Sequence, residues 1–287
     1  MPQALPRARC SCDVKLSPES EAAGYRLLSL EATESTNDDA LQAAKAGDPG
    51  LLWIAATEQH AGRGRHGRQW SSPPGNLYAS LLLIDPCEAA VAPQLGFVAG
   101  LALHEAVERL TALGAPRLAL KWPNDLLLDG AKLSGLLLEG HRVGAGGSLS
   151  VVIGFGVNVA FAPTNTPYPA ATLESIRPGL AREDVFSALS SAFASTYAAW
   201  RASIRNNNAD PFGPIRRLWL ERAAGIGQEV TLRLPSGEKR GIFEGLDRSG
   251  RLQLKSSSGV ELIDAGDLYF PNLLHDIAKL GAGATRF

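Results

Sequence analysis

Gly62-Arg63-Gly64-Arg65-His66-Gly67-Arg68-Gln69-Trp70-Ser71-Ser72 follows an apolar run, Leu51-Leu52-Trp53-Ile54-Ala55-Ala56. No aspartate or glutamate lies between Glu58 and Asp85 to neutralise its three arginines. Glycine lets the main chain approach a ligand closely, and arginine presents a permanently charged planar fork. Such a loop suits an anion. The pattern Gly62-x-Gly64-x-x-Gly67 also satisfies the dinucleotide fingerprint, which requires a helix to open among its glycines. Here the continuation is Ser71-Ser72-Pro73-Pro74-Gly75-Asn76, and adjacent prolines with a glycine cannot carry a helix. A Rossmann fold is therefore rejected. No G-x-x-x-x-G-K-[ST] phosphate loop occurs anywhere in the chain. A solvated basic turn is the competing reading of the loop taken alone.

Outward from the loop, 287 residues with 45% hydrophobic and 20% charged side chains suffice for one large domain or two unequal ones. The net charge of −1 argues against wholesale nucleic-acid binding, because the positive charge is local. The longest apolar run, 95–103, stops at His104 and Glu105, too short to span a membrane. The first residues lack the apolar stretch of a signal peptide, and Cys10, Cys12 and Cys87 are too few for a disulfide framework. A cytoplasmic protein is expected.

Residues 1–24 read as a loose leader. Ser35-Thr36-Asn37-Asp38-Asp39 supplies capping side chains for a helix over 40–46, ended by Gly47 and Pro49. Strands are expected at 51–57 and 76–84, and a helix at 93–113 from the spacing of its apolar residues. Four more strand candidates lie at 117–122, 125–128, 133–139 and 149–159, with Asp129-Gly130 as a hairpin turn. Helices are expected at 182–204 and 214–223. Beyond Gly225, short runs at 228–234, 240–246, 251–255 and 260–263 alternate with turn residues, which suggests a small all-β barrel.

Three further polar clusters interrupt this apolar frame. They are Ser35-Thr36-Asn37, then Lys121-Trp122-Pro123-Asn124-Asp125 with Lys132-Leu133-Ser134-Gly135, and Gly154-Phe155-Gly156-Val157-Asn158. Each has a plain explanation alone: a helix cap, turn chemistry, a solvated hairpin lysine, a bulge. Glycines inside a strand otherwise signal close approach of a ligand or another backbone. Taken together and in this order, with Lys132 eleven residues after Lys121, the clusters resemble the biotin–protein ligases.

The resemblance implies an α/β (α+β) fold. A mixed-sheet catalytic domain of the biotin/lipoate ligase, class II synthetase-like type would occupy 25–224, and a small SH3-like β-barrel 225–287. It implies activation of biotin by ATP to biotinyl-5′-AMP, then transfer to a lysine of a biotin carboxyl carrier domain of a biotin-dependent carboxylase. Ser35, Thr36, Asn37 and Gln59 would read the uncharged ureido ring through neutral donors and acceptors. Arg63, Gly64 and Arg65 would contact biotin or its adenylate, and Arg68 and Trp70 would complete a lid that keeps water from the mixed anhydride. Lys132 would polarise the biotin carboxylate and the α-phosphate. Asp125 would organise Mg²⁺ or phosphate beside Asn124, and Asn158 would serve the nucleotide side. His66 and Gln69 stand where many relatives carry arginine or lysine, which leaves this loop less positive.

Some relatives also carry an N-terminal DNA-binding helical module. The 34 residues before Ser35 show several prolines and no helical periodicity, so no DNA binding is expected. A homodimer is compatible with the resemblance, but the sequence marks no interface. Two other readings compete: a lipoate–protein ligase of the same fold, and a nucleic-acid-binding module. The second is poorly served, since residues 228–263 contain a single aromatic, Phe243, where base stacking would need several.

Overall fold

The computed structural model describes residues 14–270 apart from 165, 167 and 207. Its larger part is a seven-stranded sheet in the order β1-β2-β3-β7-β6-β5-β4. The strands are β1 (Arg26–Thr33), β2 (Leu52–Gln59), β3 (Leu77–Ile84), β4 (Leu118–Lys121), β5 (Asp125–Leu128), β6 (Ala131–Val143) and β7 (Ser148–Val157). Only β1 and β2 run parallel; the other neighbours are antiparallel, so the sheet is mixed.

Alternation along the strands sorts the apolar side chains onto two faces. In β2, Leu52 and Ile54 join Leu82 and Val152 against Ala40, Ala43 and Ala44 of helix α2 (Thr36–Lys45). Trp53 and Ala55 face the main core, which α3 (Gln94–Thr111) and α4 (Arg182–Arg205) cover. Trp53 packs edge-on to Phe186 and Phe193 of α4 at centroid distances of 5.5 and 5.8 Å. The sheet is thus clad by one short helix on the face that carries the polar clusters and by two long helices behind. Asp129 and Gly130 both adopt positive φ (49° and 81°), the geometry of a tight hairpin turn between β5 and β6.

The expected loose leader is corrected for residues 14–24. Ser17 caps a short helix, α1 (Pro18–Ala22), whose first residue is proline, as favoured at that position. The Ser17 N–H donates to Ser190 Oγ on α4 at 3.0 Å, and Val14 and Ser20 are buried. Proline here starts the helix. Residues 1–13, with Cys10 and Cys12, lie outside the described residues.

After α5 (Gly213–Leu220) comes the second sheet, order β11-β10-β9-β8-β12. Its strands are β8 (Glu229–Leu234), β9 (Gly237–Leu246), β10 (Leu252–Ser256), β11 (Gly259–Ile263) and β12 (Asp267–Tyr269). The fifth strand was not expected from the sequence; it is three residues long and pairs with β8. Val230, Leu232, Phe243 and Leu252 belong to the same continuous core as the large sheet. Trp122 is buried at the junction, and its indole N–H donates to the Gly250 carbonyl at 3.3 Å. No described helix is long and apolar enough to cross a membrane.

Candidate active site

The Gly/Arg loop closes on itself. Gly64 N–H donates to Arg68 O at 2.7 Å and Trp70 N–H to Gly62 O at 2.9 Å, leaving one tight turn over Arg65–Gly67 in which His66 takes φ 57°. Gly62 is required at its root: a Cβ there would lie 2.6 Å from Ser72 Oγ and 2.7 Å from the Trp70 carbonyl. Both ends of the loop are therefore fixed while its tip projects.

Three arginines tether that tip. Arg63 forks onto both oxygens of Asp38 at 2.5 Å, with Glu139 3.6 Å away. The Arg63 hydrogen bond holds the Asp38 carboxyl below the usual carboxylate range. Arg65 donates to Asn124 Oδ1 at 3.3 Å and to the Gly266 carbonyl at 3.1 Å. Asp267, at the start of β12, lies 3.6 Å from Arg65 and also pairs with Arg68. Burial tends to raise the Asp267 carboxyl, but the Arg68 hydrogen bond and the two guanidinium charges outweigh it, leaving the group below the usual carboxylate range. The clasp is therefore intact above that range and is lost only as pH falls through the lowered value.

Asp267→Asn removes the charge that Arg65 and Arg68 share. Trypsin is expected to cut after Arg65 or Arg68 several-fold faster in this variant at neutral pH. The melting temperature should change little, since Arg68 is half-exposed and such pairs contribute at most about 1 kcal/mol. Equal cutting in both proteins would show that Asp267 does not hold the loop.

The neutral donors gather at the start of α2. Ser35 caps the helix, its Oγ accepting from Asp38 N–H at 3.4 Å. Thr36 donates from N–H and hydroxyl to Gln59 Oε1 at 2.9 and 3.1 Å, and Gln59 Nε2 donates to Ser72 Oγ at 3.0 Å. Ser80 Oγ, fully buried on β3, lies 2.7 Å from Thr36 Oγ1 and 2.6 Å from Asn37 Oδ1. Asn37 Nδ2 donates to Glu139 Oε2 at 2.7 Å.

The strand glycines make room for side chains. Gly154 lies opposite Ser80 on β3, and a Cβ there would sit 2.4 Å from Asn37 Oδ1. Gly156 lies opposite Gly135, and a Cβ at Gly156 would sit 2.6 Å from the Trp70 ring. Two adjacent glycines thus form a flat seat for the indole.

Lys132 reaches the same face through a register slip. The β5/β6 pairing shifts between Leu126 and Leu127, so that Leu126 faces Ser134 and Leu127 faces Lys132. One extra residue, Leu133, is accommodated and turns into the core. Without that bulge, alternation would put Lys132 and Gly135 on opposite faces. With it, Lys132 Nζ lies 3.3 Å from where a Gly135 Cβ would be. The ammonium is 2.7 Å from Asp125 Oδ1, 5.5 Å from the centroid of a Trp70 ring and 5.2 Å from that of Tyr168. The second lysine, Lys121, lies 3.8 Å from Asp125 Oδ2.

Every site residue named from the sequence lines this one cleft except Asn158. Asn158 is buried beneath it, its amide donating to the Lys132 carbonyl at 3.4 Å and its N–H to the Leu133 carbonyl at 2.9 Å. It braces the bulged strand and does not meet the cleft. Asp125, expected to organise Mg²⁺ or phosphate, stands between the two lysines of the cleft. Both of its oxygens face ammonium groups, and no group of three His, Cys, Asp or Glu able to hold a metal occurs among the described residues. Sequence reasoning missed Asp38, Ser80, Glu139, Tyr168 and Asp267; none lies within a glycine-marked motif, and each is found only through its partner.

Residues 29–158 match the biotin/lipoate A/B protein ligase family, and residues 225–270 match the biotin protein ligase C-terminal domain. The biotin–[acetyl-CoA-carboxylase] ligase of Paracoccus denitrificans is 42% identical over 247 residues, covering 84% of this chain and 99% of that protein. This chain belongs to the biotin protein ligase family. Another member, the bifunctional ligase/repressor of Escherichia coli, is 30% identical over 83% of this chain and 72% of its own length. Among solved structures, the biotin protein ligase of Aquifex aeolicus in complex with biotin and ATP aligns with a TM-score of 0.68 and 28% identity. That alignment covers 85% of this chain and 97% of the other. The Leishmania major biotin protein ligase in complex with biotinyl-5-AMP aligns at TM-score 0.55 and 25% identity, over 84% and 99% of the two chains. The mixed sheet followed by a small β domain is the biotin protein ligase architecture, and the seven strands described above are its catalytic sheet.

Proposed function

We propose that this enzyme activates biotin with ATP to biotinyl-5′-AMP and passes the biotinyl group to a lysine of a biotin carboxyl carrier domain. The observation that carries the reading is the single cleft in which neutral donors, a tethered arginine loop and the Lys132 ammonium converge. Ser35, Thr36, Asn37 and Gln59 present uncharged donors and acceptors, suited to an uncharged ureido ring. Lys132 stands farther along the same floor, where a carboxylate and an α-phosphate must be brought together despite their like charge. An ammonium already fixed there lowers that repulsion without reorganising during the reaction.

In the first step a biotin carboxylate oxygen attacks the α-phosphorus, and the bond to the bridging oxygen breaks. Pyrophosphate leaves with that electron pair. In the second step the neutral amine of the carrier lysine attacks the acyl carbon, AMP departs with the electron pair of the acyl–oxygen bond, and the nitrogen gives up a proton to solvent. Arg65 and Arg68, clasped by Asp267, hold the loop over the cleft between the steps and limit hydrolysis of the anhydride. Mg²⁺ would enter with ATP, shielding its phosphates, and Asp125 is the carboxylate beside Lys132 and Asn124 that would help to hold it. Dependence on ATP and on a carboxylase carrier domain supports a cytoplasmic site of action.

The test is direct. The protein is incubated with ATP and biotin, lipoate or octanoate in turn, and acyl-adenylate and pyrophosphate are measured. Biotin alone should give both products, and an added carrier domain should become labelled. Lipoyl-adenylate at a comparable rate, or no adenylate from biotin, would overturn the proposal.

A further inference from the structure

The cleft holds a second ammonium that the reaction as written does not use. Lys121 ends β4 and pairs in register with Asp125 across the turn. Its side chain is only 18% exposed, and its ammonium makes no hydrogen bond among the described residues. The nearest carboxylate oxygen, Asp125 Oδ2, is 3.8 Å away, while Oδ1 of the same group is taken by Lys132 at 2.7 Å. On its other side stands the Tyr269 ring, 5.5 Å to the centroid.

The other cations of the cleft are already matched. Arg63 has Asp38, and Arg65 and Arg68 share Asp267. One carboxylate, Asp125, is left for two lysines. A covered ammonium without a hydrogen-bond acceptor is costly unless a ligand supplies one. Burial correspondingly pulls the Lys121 ammonium below the usual lysine range. The positions are also ordered. Lys132 lies on the Trp70 and Gly135 side of Asp125, and Lys121 lies on the side facing β12 of the second sheet.

We propose that Lys121 is a catalytic residue of the first step, taking the oxygens of the departing pyrophosphate while Lys132 serves the carboxylate and α-phosphate. This rests on the function proposed above. As the bond from the α-phosphorus to the bridging oxygen breaks, one negative charge moves onto the leaving group, and the Lys121 ammonium stands where that charge grows. Asp125 then spaces and orients two ammonium groups. The second step releases AMP and no pyrophosphate, so it has no use for Lys121.

The experiment separates the two steps in Lys121→Met and Lys121→Arg. Adenylate formation is followed by pyrophosphate release, and transfer is followed from chemically prepared biotinyl-5′-AMP to a carrier domain. Lys121→Met should slow the first step about 10- to 100-fold, the range of a lost charge-assisted hydrogen bond. Transfer should stay within twofold of the wild type, and Lys121→Arg should recover part of the first step. Parallel loss in both steps would assign Lys121 a merely structural role, and no loss in either would overturn the proposal. Should Lys121→Met not fold, inhibition by inorganic pyrophosphate is compared between wild type and Lys121→Arg. An unchanged inhibition constant, with unchanged adenylate formation, would equally overturn it. A wild-type protein inert with biotin and ATP would sink the underlying function instead, so the two failures are distinguishable.

Discussion

Lys132→Ala is expected to lower biotinyl-adenylate formation about 10²-fold or more, because two defects follow from one substitution. The first is loss of the ammonium on the Trp70 side of Asp125. A charge-assisted hydrogen bond is worth roughly 1.5–3 kcal/mol, and preorganised charge in a water-poor site contributes at the upper end. The second is the carboxylate left behind. Asp125 is 13% exposed and would retain only Lys121, 3.8 Å away. It would then present an under-compensated negative charge to two anionic substrates. The two effects can be pulled apart. Adding Asp125→Asn to Lys132→Ala should restore ATP affinity, measured by calorimetric titration, without restoring the single-turnover rate. Adenylate formation by Lys132→Ala within threefold of wild type would remove Lys132 from the chemistry.

What could be read from the sequence divides by the range of the interaction. The helix after Ser35, the Asp129-Gly130 turn and the strand glycines are local, because capping groups, positive φ and a missing Cβ act within a few residues. They placed the sheet and the loop, while the resemblance to the biotin–protein ligases named the residues of the cleft. The small β domain was legible for the same reason, from turn residues between short apolar runs. Asp267 was not, since its meaning lies in an arginine 199 positions away, in the loop between β2 and β3. Glu139 is similar, lying 102 positions from Asn37 and looking like an ordinary strand residue. The bulge at Leu133 also escapes a reading of alternation, although it decides which face Lys132 occupies. Asn158 was placed in the site by its glycine-rich neighbours, yet it braces the Lys132 backbone from below. Helix α1 carries too few residues for an apolar period, and only the Ser17-Pro18 pair, a cap followed by proline at the first position, marks it locally.

Gly154→Ala and Gly156→Ala test whether the floor of the cleft is as tight as its distances imply. At Gly154 the new methyl would stand 2.4 Å from Asn37 Oδ1 and 3.1 Å from Asn37 Cγ. Asn37 cannot swing away freely, since Ser80 and Glu139 hold its two amide ends. At Gly156 the methyl would stand 2.6 Å from two atoms of the Trp70 indole, whose alternative is to leave its seat on Gly135. Overpacking of this kind costs about 1–3 kcal/mol, so biotin affinity should fall by up to about 10²-fold in each variant. The two should differ in what else they disturb. Gly154→Ala acts through the neutral donors and should leave the rate of transfer from preformed biotinyl-5′-AMP closer to wild type. Gly156→Ala displaces Trp70 beside Lys132 and should slow both steps. Gly140→Ala is the control: this glycine lies on the neighbouring strand β6, and its added methyl would meet only Leu149 Cδ1 at 4.0 Å. Calorimetric titration with biotin, beside a melting curve for each variant, reads the outcome. Wild-type affinity in both Gly154→Ala and Gly156→Ala would mean that Asn37 and Trp70 are free to move, and that these strand glycines do not shape the biotin pocket.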